Sequence, residues 1–260
     1  MQYMREDRRA KQLAHLAAAQ QRSQARLDAQ RRRIDERFAR VRQRITSTED
    51  TPSDDQQRII DAALELLDEV GLQELSLRKL AAKLDIQAPA LYWYFKNKED
   101  LTDYMAEAIL KKEFVGTMQR QDDEPWQDWL VTACKRLRKA MLAYRDGGRV
   151  VTGAHFFPAT TLLDFFEMAL ASLVSAGVSV ERAGMIAVTA VHFTFGRVIE
   201  EQSMPSAAEI ADINRLIIGR LQQSHPHVAT YRQHQIETGM SMDDEFDDAL
   251  RLIIHNSYTR

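Results

Sequence analysis

The residues with the most chemistry to offer lie in one stretch of 23, Ser76 to Lys98 (SLRKLAAKLDIQAPALYWYFKNK). Arg78, Lys79, Lys83, Lys96 and Lys98 stand against one acid, Asp85, so the stretch is +4 in a chain that is −3 overall. A local patch of that kind attracts phosphate without the whole protein being basic. The guanidinium of Arg78 is a fork suited to guanine O6 and N7. Tyr92, Trp93 and Tyr94 put three aromatic rings among the cations. This is chemistry for holding a nucleic acid, not for making or breaking bonds. The same pattern also fits an ordinary helical hairpin with a solvated basic face, and the residue types alone leave both readings open.

An enzyme would need more. His192, Glu200 and His155 could supply an acid and a base, but no activated nucleophile, phosphate loop or two-His-plus-carboxylate pattern accompanies them. No cofactor or metal ion is expected. The one cysteine, Cys134, excludes an internal disulfide and fits a reducing cytoplasm. It sits in an apolar helical pattern and reads as packing.

The elements that must position the stretch follow from spacing. Ser76 is a good N-cap, and Leu77, Leu80, Ala81 and Leu84 follow at helical intervals. Asp85-Ile86-Gln87 interrupts that stripe, and Pro89 suits the first turn of a second helix. Leu91 and Phe95 face inward, which leaves Tyr92, Trp93, Tyr94, Lys96 and Lys98 largely outside. Two short helices on a tight joint, the second basic and aromatic, read as a helix-turn-helix. Upstream, Ser53 or Asp54 caps a helix with a core face of Ile59, Ile60, Ala63, Leu64, Leu67 and Val70, stopped by Gly71.

The whole chain of 260 residues has only ten Gly and six Pro, with apolar residues at helical spacing throughout, so the expected class is all-α. No apolar run approaches 18 residues and no signal-peptide core is present, so a cytoplasmic protein is expected. Residues 1–46 carry 13 Lys/Arg and 5 Asp/Glu, a net of +8, so the remainder sums to −11. That segment has no Gly or Pro and reads as a long basic helical extension, either on DNA phosphates or packed on the body or a partner. Residues 47–54 are a polar linker, 55–101 the helix-turn-helix domain and 102–260 a helical ligand-binding and dimerisation domain. In the last, helices are expected at about 99–117, 126–144, 159–176, 179–202 and 243–257, with a further one at 207–223.

Arg58 to Leu101 resembles the DNA-binding domain of the TetR family, its tetracycline repressor branch in particular; Gly71, the SLRKLA phrase and the LYW…KNK phrase stand in register. RDGGRV at Arg145–Val150 and HFTFGRVIEEQ at His192–Gln202 are further matches, in the family's order. The resemblance implies a dimeric repressor on a palindromic operator in double-stranded DNA, released by a small molecule. It implies base contacts from Arg78 and near Gln87, Ala88 and Ala90, phosphate contacts from Tyr92 and Lys98, and part-packing roles for Trp93 and Tyr94, while Ser76 is a cap or a contact. Phe114, Met118, Leu137, Met141, Phe165 and Phe195 supply aromatic and thioether surface for a mainly apolar ligand site, with His155, His192 and Glu200 as sparse polar groups. The family's tetracycline binders place a magnesium-binding histidine where this chain has Val150-Val151, and a drug-contacting histidine where it has Phe114. A bulky apolar or aromatic effector is therefore expected. The competing expectation is an architectural DNA-binding protein that uses the basic extension and has no effector.

Overall fold

The structure, a computed structural model, describes residues 52–114, 119–121, 123–154, 160–205 and 207–256, together with residues 21, 24, 25 and 28. The chain divides into two units, Met1–Thr51 and Pro52–Arg260. In the first, Gln21, Gln24, Ala25 and Asp28 are helical, and Gln24 Nε2 donates to Asp28 Oδ1 at 3.2 Å. The rest of the expected extension lies outside the described residues.

The second unit opens with α1 (Asp54–Glu74). Ser53 Oγ accepts from Gln56 N at 3.2 Å and Ser53 N donates to Gln56 Oε1 at 3.4 Å, a reciprocal capping box. Ile59, Ile60, Ala63, Leu64 and Leu67 turn inward as their spacing requires. Gly71 does take a positive φ of 77°, but the chain kinks there and makes another turn to Glu74 instead of stopping. Helix α2 (Leu77–Lys83) is capped by Ser76 Oγ, which accepts from Lys79 N at 3.3 Å. Asp85, at φ 54°, makes the joint. Helix α3 (Ala88–Leu91) is only four residues long; the chain then tightens, with Tyr92, Trp93 and Tyr94 N–H groups bonding three residues back. Leu91 and Phe95 are fully buried, and burial of each such side chain contributes about 1.5–3 kcal/mol.

Helix α4 (Lys98–Phe114) leads from this head into the body. Asn97 Oδ1 accepts from Asp100 N at 2.7 Å, while Asp100 Oδ2 accepts from Lys96 N at 3.0 Å. Acids Glu99 and Asp100 at its start and Lys111 and Lys112 at its end complement the helix dipole. The body adds α5 (Trp126–Leu142), α6 (Gly147–Gly153), α7 (Thr160–Ser175), α8 (Val180–Ser203), α9 (Ala207–Ser224), α10 (Pro226–Thr238) and α11 (Met242–Asn256). Helix α5 packs against α4, α8 and α11; α7 lies on α8 and α4; α9 and α10 form a hairpin. No strand occurs among the described residues, and the protein is all-α.

Two elements depart from expectation. The break expected at Arg145–Gly148 shrinks to a corner at Arg145–Asp146, and α6 begins at Gly147. Residues 226–238 form α10 although their polar composition hides a core face; Ala229 is its one buried residue. Of the small residues Ala183, Gly184, Ala187 and Ala190, whose spacing suits close helix approach at a dimer surface, the three alanines are fully buried within the chain, and only Gly184 has open space beside it.

Candidate functional site

The head presents its polar groups unevenly. Lys79 Nζ pairs with Glu74 at 2.8 Å, and Lys83 Nζ with Glu69 at 2.8 Å and Glu65 at 3.2 Å. The Lys79 bond holds the Glu74 carboxyl below its ordinary value, and the bonds to Glu69 and Glu65 push the Lys83 amine up. These lysines brace α2 against α1. Lys98 Nζ donates to the Leu72 carbonyl at 2.5 Å, so it too has a structural bond. Arg78 is exposed and makes no ion pair among the described residues. Beside the α3 turn, Trp93 is 89% and Tyr92 57% exposed. Gln87 is exposed, and Ala88 and Ala90 are half-buried on the same short helix. Tyr94 is half-buried, its hydroxyl 3.4 Å from Asp55 Oδ2. Rings of that size are seldom left in water without a partner surface. Arg78, Gln87, Lys96 and the Tyr92–Trp93 pair are thus exposed groups of the head whose side chains make no bond among the described residues.

Behind the head, the corner between α5 and α6 grips the end of α1. Asp146 Oδ2 accepts from Leu72 N at 2.9 Å, and Arg145 N donates to Asp68 Oδ1 at 2.7 Å. Arg145 Nη1 also donates to the Glu69 carbonyl at 3.2 Å. Asp146 holds a left-handed φ of 56°, a costly conformation for a residue with a Cβ. At Gly147 a Cβ would lie 2.2 Å from the Met141 carbonyl, so only glycine fits. Gln202, from the end of α8, donates to the Met141 and Tyr144 carbonyls at 3.2 and 2.8 Å and accepts from Gly148 N at 3.0 Å. This latch joins α1, the α5–α6 corner and α8. The sequence signalled it only through Asp-Gly-Gly, a pattern with no role assigned by spacing.

The expected ligand residues fall into two places. Phe114, Leu137, Met141, Val151 and Phe165 are buried in the body. Phe165 meets Phe114 edge-on at 6.1 Å, stacks on Trp129 at 6.4 Å and meets Phe166 at 5.9 Å. Thr194 of α8 is also fully buried, its hydroxyl donating to the Ala190 carbonyl at 2.8 Å. Burial pushes the Cys134 thiol up to about 12, against a smaller opposing effect of its bond to Thr194. Phe195 is half-buried. Met118 and His155 lie outside the described residues.

His192 and Glu200 do share one side of α8, but it is the outer side. With Gly196, Arg197, Glu245 and Ala249 they line a groove of about 310 Å³ between α8 and α11, apart from the Phe165 cluster. Glu200 pairs with Arg197 at 3.5 Å. No group of three or more potential metal ligands occurs among the described residues. Beneath the groove, Glu201 is bound by Arg138 at 2.8 Å and Arg197 at 2.9 Å. Those arginines reach on to Asp243 and Glu245 of α11, both at 2.7 Å.

Comparison with known proteins agrees with this arrangement. Residues 59–105 match the model of bacterial regulatory proteins of the tetR family, and residues 120–255 match the tetracyclin repressor-like C-terminal domain. The tetracycline repressor protein class A from transposon 1721 of Escherichia coli is 41% identical over 150 residues, 58% of this chain and 68% of that protein. A TetR variant from Acinetobacter baumannii AYE, solved in complex with minocycline, superposes with a TM-score of 0.57 at 29% identity, covering 79% of this chain and 96% of that one. BioQ, solved with its double-stranded DNA operator, gives a TM-score of 0.51 at 28% identity over 63% of this chain and 96% of that one. Two matched domains in this order, on a head and a helical body, place the chain in the tetR family of bacterial regulatory proteins.

Proposed function

We propose that the protein is a cytoplasmic repressor that binds a palindromic operator as a homodimer and is released by a bulky, largely apolar or aromatic effector. The observation that carries this reading is the division of labour in the head. Lys79, Lys83 and Lys98 are held by the fold, whereas Arg78, Lys96, Tyr92 and Trp93 are free and exposed. Arg78 and the neighbourhood of Gln87, Ala88 and Ala90 read bases, and Tyr92 bonds phosphate; Lys98 retains protons for a phosphate beyond its one carbonyl bond.

A single head reads few base pairs, so pairing about a two-fold axis is needed for a specific site. The outer side of α8 suits that pairing. His192, Gly196 and Glu200 line the groove on it and Val188 is exposed one turn before them; no atom stands within 4 Å of a Cβ built at Gly196 or at Gly184. Val180, Met185 and Leu252 are exposed on the same two helices. The effector would enter the body at the Phe114–Phe165 cluster, and the side chain of the buried Val151 offers no lone pair to a metal ion. It would act by binding more tightly to the body conformation that misplaces the heads.

Selection from a random duplex library, followed by footprinting and titration against salt, tests the proposal. A discrete symmetric footprint with affinity falling steeply as salt rises is expected. Uniform coating of the duplex would instead favour the architectural reading.

A further inference from the structure

Glu107 lies in the middle of α4 with its side chain only 8% exposed. Its carboxylate accepts from Thr161 N at 3.1 Å, Thr161 Oγ1 at 2.9 Å and Thr160 Oγ1 at 3.2 Å, and pairs with Lys111 Nζ at 3.2 Å. Thr160 and Thr161 open α7. The first N–H groups of a helix have no partner within it, and its N-terminal end favours negative charge. A carboxylate from another helix therefore does the work of a cap. Seven residues on, about two turns along the same helix, Phe114 meets Phe165 of α7 edge-on. Helix α7 is thus fixed to α4 at two points, one polar and one aromatic.

The other end of α4 is built into the head. Its cap is the Lys96–Asn97–Asp100 set, Leu101 is fully buried, and Lys98 reaches the end of α1. An enclosed carboxylate is stable only with its donors in place, so separating α7 from α4 at this point would leave the Glu107 carboxylate short of donors. We infer that Glu107 is a positioning residue of the regulatory switch, fastening the start of α7 to α4 so that a shift at the Phe114–Phe165 cluster is carried to the reading head. Because coupling between sites is reciprocal, operator binding must be felt at α7. This inference rests on the repressor reading, and its test separates the two.

The full-length protein is used with a palindromic duplex that the wild type has itself selected from a random library. Hydrogen exchange of the 160–165 amides is measured with and without that duplex. In the wild type, exchange in this segment changes on DNA binding. In Glu107→Ala the change is lost while the variant still binds the same duplex, and Glu107→Gln, which keeps one good acceptor, retains part of it. Should Glu107→Ala fail to fold, Glu107→Gln and Thr161→Val carry the comparison by the same readout. An unaltered response in the variants, or no response in the wild type, overturns the tether. Failure of the wild type to select any duplex would instead sink the repressor reading, and the inference with it.

Discussion

On the proposed reading Arg78 would carry much of the recognition at the start of α2, because the lysines beside it on that helix are occupied. Lys79 and Lys83 spend their charge on Glu74, Glu65 and Glu69, so removing the Arg78 guanidinium leaves no equivalent donor at the start of α2. Arg78→Ala is expected to weaken operator binding by about 1–3 kcal/mol and to relax one base position, with an unchanged circular dichroism spectrum. Equal loss on operator and random duplex in a mobility-shift assay would reassign it to phosphate. Cys134 gives a second prediction at this scale. Its thiol is held up to about 12 in the folded protein, above the ordinary value of about 8.5 in an unfolded chain. A raised value means that the folded form keeps its proton while the unfolded form loses it. Its contribution is complete below about pH 8.5 and is lost as pH rises toward 12. Denaturant midpoints should therefore fall across that window, less so in Cys134→Ala once its own lower baseline is subtracted, and the native thiol should resist alkylation at pH 8.

The helices owe their ends to local chemistry and their mutual angles to contacts between distant residues. Ser53 and Gln56 close the start of α1 by a reciprocal pair of bonds. Ser53→Ala should cost about 1 kcal/mol, read as a lowered Tm with little change in DNA affinity. The latch is different in kind. A Cβ at Gly147 would collide with backbone, the Met141 carbonyl, and not with a movable side chain. Gly147→Ala is expected to shift the corner off the end of α1, lowering stability and altering operator affinity together. A variant with a lowered Tm and unaltered operator affinity would show that the latch supports the fold without supporting the heads. Capping was legible in the sequence at Ser76, and as Ser53 or Asp54 before α1, because a cap acts on residues three positions away. The latch was not, because Asp146 bonds Leu72, 74 residues distant.

At the scale of the whole molecule, an ionic network sets how the body helices meet. Glu201, 5% exposed, draws Arg138 of α5 and Arg197 of its own helix toward α11. Arg138 also lies over the Phe246 ring at 5.1 Å. Glu201→Ala would remove the shared partner of two enclosed guanidiniums, each of which keeps one carboxylate on α11, and a loss of about 1–3 kcal/mol is expected in denaturant unfolding. The outer face of α8 and α11 makes a separate demand. Met185→Glu with Val188→Glu should produce a monomer by analytical ultracentrifugation, with Tm nearly kept and specific operator binding lost. A dimer that survives both substitutions would move the interface elsewhere.

The sequence by itself determined the all-α class, the paired short helices of the head, their caps and the burial of Leu91 and Phe95. Each of these depends on residues within a turn or two of one another, where spacing is enough. Tertiary structure alone decided which side of α8 faces in. Ala183, Ala187 and Val191 repeat every fourth residue, and so do Gly184, Val188 and His192; both series satisfy helical spacing equally well. Packing against the neighbouring helices buries the first series and leaves Val188 and His192 of the second exposed. That rotation carried His192 and Glu200 to an outer groove, away from the Phe165 cluster they had been expected to join. It also takes the fold to bring Glu107 to the first turn of α7, 53 and 54 residues along the chain. A periodic pattern fixes the faces of a helix relative to each other, but only contact with another element fixes either of them relative to the core.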